Sequence, residues 1–222
     1  MSSGITIGIP VGPREGHRRW LGEALQSCQA QTLSPEEVIL VVDEDSSGIS
    51  ELIPDGLPCR IWVAPWKLGA ANGFNHSVGL AKTPYVFLLA SDDTLEPYCL
   101  ELCKQEIERS SNSESTIIWV GVRYMKDNET QALPCGAIMV PKSLWVRIGG
   151  YPLECIFGAP DHVLFSCILA KGKDYGIDIQ GVKRPLYNYR THPDTEQFHR
   201  SEWHGVMGQV RDILTATWKP KW

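Results

Sequence analysis

The stretch Tyr85-Val86-Phe87-Leu88-Leu89-Ala90-Ser91-Asp92-Asp93-Thr94 decides how this chain is built. Six uncharged residues in an unbroken run read as a strand covered on both faces, the mark of a parallel sheet. Two adjacent carboxylates follow where that strand ends. They repel each other, and the arrangement is tolerable if a hard cation with oxygen ligands lies between them and a phosphate. A turn that caps a helix beginning near Glu96-Pro97 is the other reading of the same residues.

Upstream, the pattern repeats. Ile5, Ile7 and Ile9 alternate with small residues until Pro10, Glu37 to Val42 is an apolar run, and Cys59 to Ala64 gives a third strand. Trp20, Leu21, Ala24, Leu25 and Cys28 recur at helical spacing and predict a helix over 17–30; Ala71, Phe74, Val78 and Ala81 mark another. Strand, helix, strand, strand, helix, strand in this order implies right-handed crossovers and parallel strands. Ligands of such sheets bind beyond the carboxyl ends of the strands. The loops after residues 9, 42 and 89 are therefore the ones to read.

Downstream the pattern is less regular. A helix is expected over 96–110 with Pro97 in its first turn, then strands at 116–122 and 136–140, short helices at 142–148 and 160–171, and a last helix at about 199–217. The change near residue 95, with no linker, suggests two halves fused on one sheet.

Composition narrows the class. The chain has 222 residues, 43% hydrophobic and 21% charged, with a net charge of -5, which fits a globular protein not made to lie on a polyanion. From Lys183 to Trp222 seven basic residues face four acidic ones, alongside Trp203, Trp218 and Trp222. That segment reads as a solvated helix with aromatic anchors, or as a contact surface for an anionic acceptor, a membrane or a partner. Seven cysteines, at 28, 59, 99, 103, 135, 155 and 167, show no C-x-x-C pair and read as small buried hydrophobes of a reducing compartment. With no basic leader and no run of 18 apolar residues, a cytoplasmic protein is expected.

Two more loops hold polar residues. Asp43-Glu44-Asp45-Ser46-Ser47-Gly48 follows the second strand; an acidic group there is placed to meet the edge of a nucleobase, or the segment is a solvated turn. Gly69-Ala70-Ala71-Asn72-Gly73-Phe74-Asn75 opens a helix. Its small residues let backbone approach a pyrophosphate, or let the helix pack closely on the sheet. It is neither a G-x-G-x-x-G nor a Walker A pattern.

In order, Ile9-Pro10-Val11-Gly12, Ser27-Cys28-Gln29-Ala30-Gln31-Thr32, Val41-Val42-Asp43-Glu44-Asp45-Ser46 and the segment Ala81 to Asp93 resemble the motifs of family 2 glycosyltransferases. Cys135 to Pro141, Ile148-Gly149-Gly150-Tyr151, Gly158-Ala159-Pro160-Asp161-His162 and Tyr189-Arg190-Thr191-His192-Pro193-Asp194-Thr195 extend the likeness to about residue 200.

The resemblance implies an α/β fold of GT-A type, a Rossmann-like mixed sheet flanked by helices. It implies a single domain over residues 1–222: a donor-binding half to about 95, an acceptor-binding and catalytic half over about 96–198, and a C-terminal helix and tail over about 199–222. The implied activity is inverting transfer of a sugar from a nucleoside-diphosphate sugar, UDP-linked in most of the family, to an acceptor hydroxyl. Pro10, Val11 and Asp43 would frame the base, Gly69 and Asn75 would belong to the donor site, and Asp92 would meet the ribose. Asp93 and His192 would hold a divalent cation, Mn²⁺ or Mg²⁺, and Asp161 would be the general base.

The acceptor stays open among glycan, lipid carrier, protein, small molecule and modified nucleic acid. The short chain leaves room for a partner chain or a second copy to help. Lys67 and Arg190 are candidates to meet phosphate, or a solvated lysine and a structural ion pair. Ala90 stands where the family has its first Asp and Pro160 where it has Glu. Those departures motivate an alternative, a protein of this fold that binds a sugar nucleotide or glycan without turnover. A nucleotidyltransferase finds only a faint echo in Val11-Gly12-Pro13-Arg14-Glu15-Gly16.

Overall fold

The computed structural model describes residues 2–132, 136–152, 160–192 and 204–220. Strands β1 (Ile5–Val11), β2 (Glu37–Asp43), β3 (Cys59–Ala64) and β4 (Tyr85–Leu88) pair in parallel in the order β3-β2-β1-β4. Their alternate residues feed two cores. Ile5, Ile7, Ile9, Leu40 and Val42 pack with Leu21, Leu25 and Cys28, whereas Ile39, Val41, Val86 and Leu88 pack with Ala71 and Val78. Burial of both faces explains why β1, β2 and β4 are so largely apolar, whereas the edge strand β3 is only part-buried and carries Arg60.

The connections are α1 (Glu15–Arg19), α2 (Leu21–Gln29) and α3 (Gly69–Leu80). The single helix expected over 17–30 is two helices, with the chain turning at Trp20 (φ -102, ψ -3). Between α3 and β1 there is no room for larger side chains. A Cβ on Gly73 would come within 2.5 Å of the Pro10 Cβ, and one on Gly8 within 2.2 Å of the Ser77 Oγ. Close helix–sheet packing is thus one use of the small residues in 69–79.

The same sheet continues past β4. Strand β8 (Ile138–Pro141) pairs antiparallel with β4, β6 (Thr116–Tyr124) antiparallel with β8, β9 (Asp178–Tyr189) parallel with β6, and the short β5 (Thr94–Leu95) antiparallel with β9; β7 (Thr130–Gln131) adds to β6. Helices α4 (Cys99–Arg109), α5 (Lys142–Ile148), α6 (Pro160–Lys171) and α7 (His204–Thr217) complete the described fold. Pro97 precedes α4 rather than opening it, while Pro160 does occupy the first position of α6. The expected start of the last helix, 199–203, lies outside the described residues, as do Cys135, Cys155, Trp203 and Trp222.

Strand β9 has no counterpart in the sequence reading. Lys183, Arg184 and Pro185 interrupt its pattern, and proline lacks the N–H a ladder needs. The sheet absorbs them in a bulge between Val120 and Val122. Gly121 makes it feasible, since a Cβ there would come within 2.7 Å of the Arg184 carbonyl oxygen.

Trp218 packs on α6 and meets Tyr175 edge-on at 5.8 Å, as expected of an aromatic anchor. Cys28, Cys99, Cys103 and Cys167 are buried free thiols. Burial raises the pKa of Cys28, Cys99 and Cys167 above the ordinary thiol value, so they are poor nucleophiles. Among the described residues no helix is long and apolar enough to cross a membrane.

Candidate active site

A cavity of about 460 Å³ opens at the carboxyl ends of β1, β2 and β4. Pro10 and Val11 from β1, Asp43 from β2, Gly69 at the head of α3 and Ala90 to Asp93 after β4 line it. Val122 and Tyr124 of β6, Gln131 of β7, Tyr187 and Tyr189 of β9, and Asp161 and His162 of α6 line it as well.

Asp43 is buried and reaches across to the start of α3. Its two carboxylate oxygens accept the Leu68 and Gly69 amides at 3.0 and 3.2 Å, amides that open the helix and have no partner within it. A carboxylate at a helix N-terminus also meets the positive end of its dipole. Gly69 takes φ +74 there, a left-handed conformation that suits glycine.

Asn75 does not line the cavity. Its amide nitrogen donates to the Tyr151 carbonyl at 2.9 Å, and its oxygen accepts the Trp145 indole N–H at 3.1 Å and the Tyr151 amide at 2.9 Å. It pins the turn after α5, where Gly149 (φ 85) and Gly150 (φ 70) reverse the chain. The expected donor-site role therefore gives way to a structural one, because all three bonds go to the protein's own turn.

The two adjacent carboxylates have opposite surroundings. Asp92 stands 3.0 Å from the His192 Nε2, both side chains still partly accessible at 14% and 12%. Asp93 is 1% exposed. Its oxygens accept the Tyr187 hydroxyl and the Arg190 amide, each at 2.7 Å. Burial, with the Asp92 charge beside it, pushes the Asp93 carboxyl well above the ordinary carboxylate range, against the pull of those two donors. Tyr187 is also held high by burial and by Asp93, and its oxygen accepts the Ala90 amide at 3.1 Å.

Arg190 ties the two segments together from outside. Its Nε donates to the Asp92 carbonyl at 3.0 Å, its guanidinium pairs with Glu23, and it lies 3.9 Å from the centroid of the Trp20 ring. These contacts make it a structural ion pair rather than a phosphate ligand. Lys67, by contrast, does line the cavity.

Asp161 sits in the first turn of α6, half-buried at the cavity wall. A Cβ on Gly136 would come within 3.4 Å of its Oδ2, so glycine at 136 leaves this carboxylate its space. Sequence reasoning missed Gly136, and it missed Tyr124, Gln131 and Tyr187 as wall residues. The alternation in Leu186-Tyr187-Asn188-Tyr189 was the available sign, since Tyr187 and Tyr189 face the cavity while Asn188 bonds Glu96 and Thr94 behind the strand.

Residues 7–142 match the family model for glycosyl transferase family 2, well over half of the chain. The chain belongs to glycosyl transferase family 2. The match takes in Asp43, Asp92 and Asp93 and ends before Asp161 and His192. Solved structures share the fold beyond that segment. Residues 1–349 of S. aureus TarS in complex with UDP-GlcNAc superpose with a TM-score of 0.73 at 15% identity, over 99% of this chain and 68% of that one. The same TarS fragment with UDP gives 0.68 at 14% identity, over 90% and 63%. TarS itself gives 0.66 at 16% identity, over 99% and 40%. The chain thus spans between two fifths and about two thirds of these proteins, and at such identities the likeness is one of fold. Among curated protein sequences none matches.

Proposed function

We propose that this family 2 protein transfers a sugar, with inversion, from a UDP-linked donor to an acceptor hydroxyl. The observation that supports this best is one cavity lined by both Asp92, which stands 3.0 Å from the His192 Nε2, and the Asp161 carboxylate. The fold shared with a TarS fragment solved with UDP-GlcNAc supports the choice of base. In this reading residues up to about 95 form the donor half and residues from about 96 to 198 the acceptor half of a single domain.

The residues fit a divalent cation in a particular way. Among the described residues no three His, Cys, Asp or Glu side chains converge to cage a metal. A carboxylate and an imidazole 3.0 Å apart suit Mn²⁺ or Mg²⁺ as a partial site, to be completed by phosphate oxygens and water. Asp92 and His192 would hold the ion. Asp93, whose oxygens already accept two protein donors, would fix the turn behind Asp92. That assignment moves the cation contact from Asp93 to Asp92. When bound, the cation supplies Lewis-acid stabilisation of the departing diphosphate.

The protein's own residues do the rest. Pro10 and Val11 flank the base, and Asp43 fixes the loop at Leu68 and Gly69 beside it. The acceptor oxygen forms the new bond to the donor's anomeric carbon as the bond to the diphosphate oxygen breaks on the opposite face. Asp161 takes the acceptor's proton. The dipole of α6 favours the ionised carboxylate needed for that step.

Thermal unfolding with UDP, GDP, CDP and UDP-sugars, each with and without Mn²⁺, tests the reading. A ligand at 100 times its dissociation constant raises the midpoint by about 5–10 °C for a chain this long. A Mn²⁺-dependent rise with UDP is expected. No rise with any nucleotide would refute the donor site. Donor hydrolysis that survives in wild type and falls in Asp161→Asn separates an enzyme from a sugar-nucleotide binder.

A further inference from the structure

The far wall of the cavity has a chemistry of its own. On β6, Val122 and Tyr124 face the cavity while Arg123 turns behind the sheet to Glu96 at 2.8 Å. On β9, the cross-strand partner of Tyr124 is Tyr189, and the two rings meet edge-on with centroids 5.6 Å apart. Gln131, from β7, lies at their rim, where its amide oxygen accepts the Tyr124 hydroxyl at 2.7 Å and its amide NH2 adds a donor. Strand alternation thus gathers two aromatic rings and one amide on a single surface, in the cavity that Asp161 also lines.

Charge divides the cavity in the same way. The lining side chains that carry full positive charge, Arg14 and Lys67, belong to the loops after β1 and β3, beside the donor-side residues. Among the described lining residues from Val122 onward, the titratable groups besides tyrosines are Asp161 and His162. A phosphate-rich acceptor would need guanidinium or ammonium groups there. An aromatic surface rimmed by an amide suits a ring with an apolar face and an equatorial belt of hydroxyls.

We infer that Tyr124, Tyr189 and Gln131 form an acceptor platform for an uncharged saccharide, which stacks on the tyrosines and presents one hydroxyl to Asp161. The inference rests on the transferase reading. It narrows the acceptor from any hydroxyl compound to a neutral glycan.

The test measures UDP release from UDP-sugars, alone and with methyl or p-nitrophenyl glycosides, and in parallel with a polyprenyl phosphate. At least one neutral glycoside should raise UDP release above donor hydrolysis. Tyr124→Ala and Tyr189→Ala should raise the KM for that glycoside about tenfold, the loss expected for one aromatic contact, with no matching rise in the KM for the donor. Tyr124→Phe and Tyr189→Phe, which keep the ring, should restore it. UDP binding with no stimulation by any neutral glycoside, stimulation by the polyprenyl phosphate alone, or Ala variants with an unchanged glycoside KM would each overturn the platform and leave the donor site standing. No UDP binding in wild type would refute the transferase reading and the platform together.

Discussion

The two halves of the sheet obey different rules. In β3-β2-β1-β4 alternate residues enter two cores, so side chains along the strands serve packing and the cavity is lined only by their last residues and the loops that follow. In β6 and β9 the strands themselves reach the site, with one set of alternate residues on the cavity and the other in a polar cluster of Arg123, Asn188 and Glu96. The first half tolerates change in its loops and little in its strands. The second places functional groups on strands, where a single shift of register would turn every tyrosine away from the cavity. Asp92 and Asp93 stand on the line between these halves, one open to the cavity, the other clasped by β9.

The comparison can be attacked at four places, the largest effect first. Asp161→Asn should lower the transfer turnover by about 10²–10⁴-fold, the usual contribution of a general base, while UDP still binds; single-turnover and binding measurements on the variant separate the two. Leu40→Ala, in the middle of β2 at 0% exposure, should cost about 2–5 kcal/mol by denaturant unfolding. Tyr189→Ala, half-buried on the cavity wall, should cost clearly less. Equal losses would break the distinction between packing strands and site strands.

Asn75→Ala comes third. It leaves the Trp145 indole and the Tyr151 amide without their acceptor, so about 1–3 kcal/mol of stability should go. UDP affinity should hold, and a large drop in it would return Asn75 to the donor site.

The smallest effect is one of pH. The folded Asp93 carboxyl titrates above its ordinary 3.8, so the unfolded chain releases this proton first. The stability tied to it is complete at low pH and drains away as pH rises through the elevated value. Melting temperatures of the cation-free protein between about pH 4 and 8 should show that decline, and Asp93→Asn should flatten it.

How much of this was legible in the sequence follows the same division. Ile5-Thr6-Ile7-Gly8-Ile9 and Val38 to Val42 announce parallel strands because both faces are buried and no charged residue interrupts them. Asp43, Asp92 and Asp93 could be singled out because each follows closely on an apolar strand, and Gly69 because it opens a run of small residues. The roles within that set were harder. Asp92 and Asp93 differ only in which way each side chain points, and that is decided by Tyr187 and Arg190, about a hundred residues on. Asn75 was assigned to the donor site by the family resemblance, yet its partners lie in the turn after α5. Strand β9 was hidden by Lys183-Arg184-Pro185, and with it went the tyrosines of the far wall.

The central claim is that Asp92 and His192 form half of a cation site that the donor's phosphates complete. Calorimetric titration of UDP into the protein, with Mn²⁺ and with chelator, in wild type and His192→Ala, tests it most directly. Tight binding is expected in wild type only with Mn²⁺, and binding in His192→Ala weakened toward the chelator level. UDP that binds wild type equally well in chelator, or Mn²⁺-dependent binding that His192→Ala leaves unchanged, would contradict it.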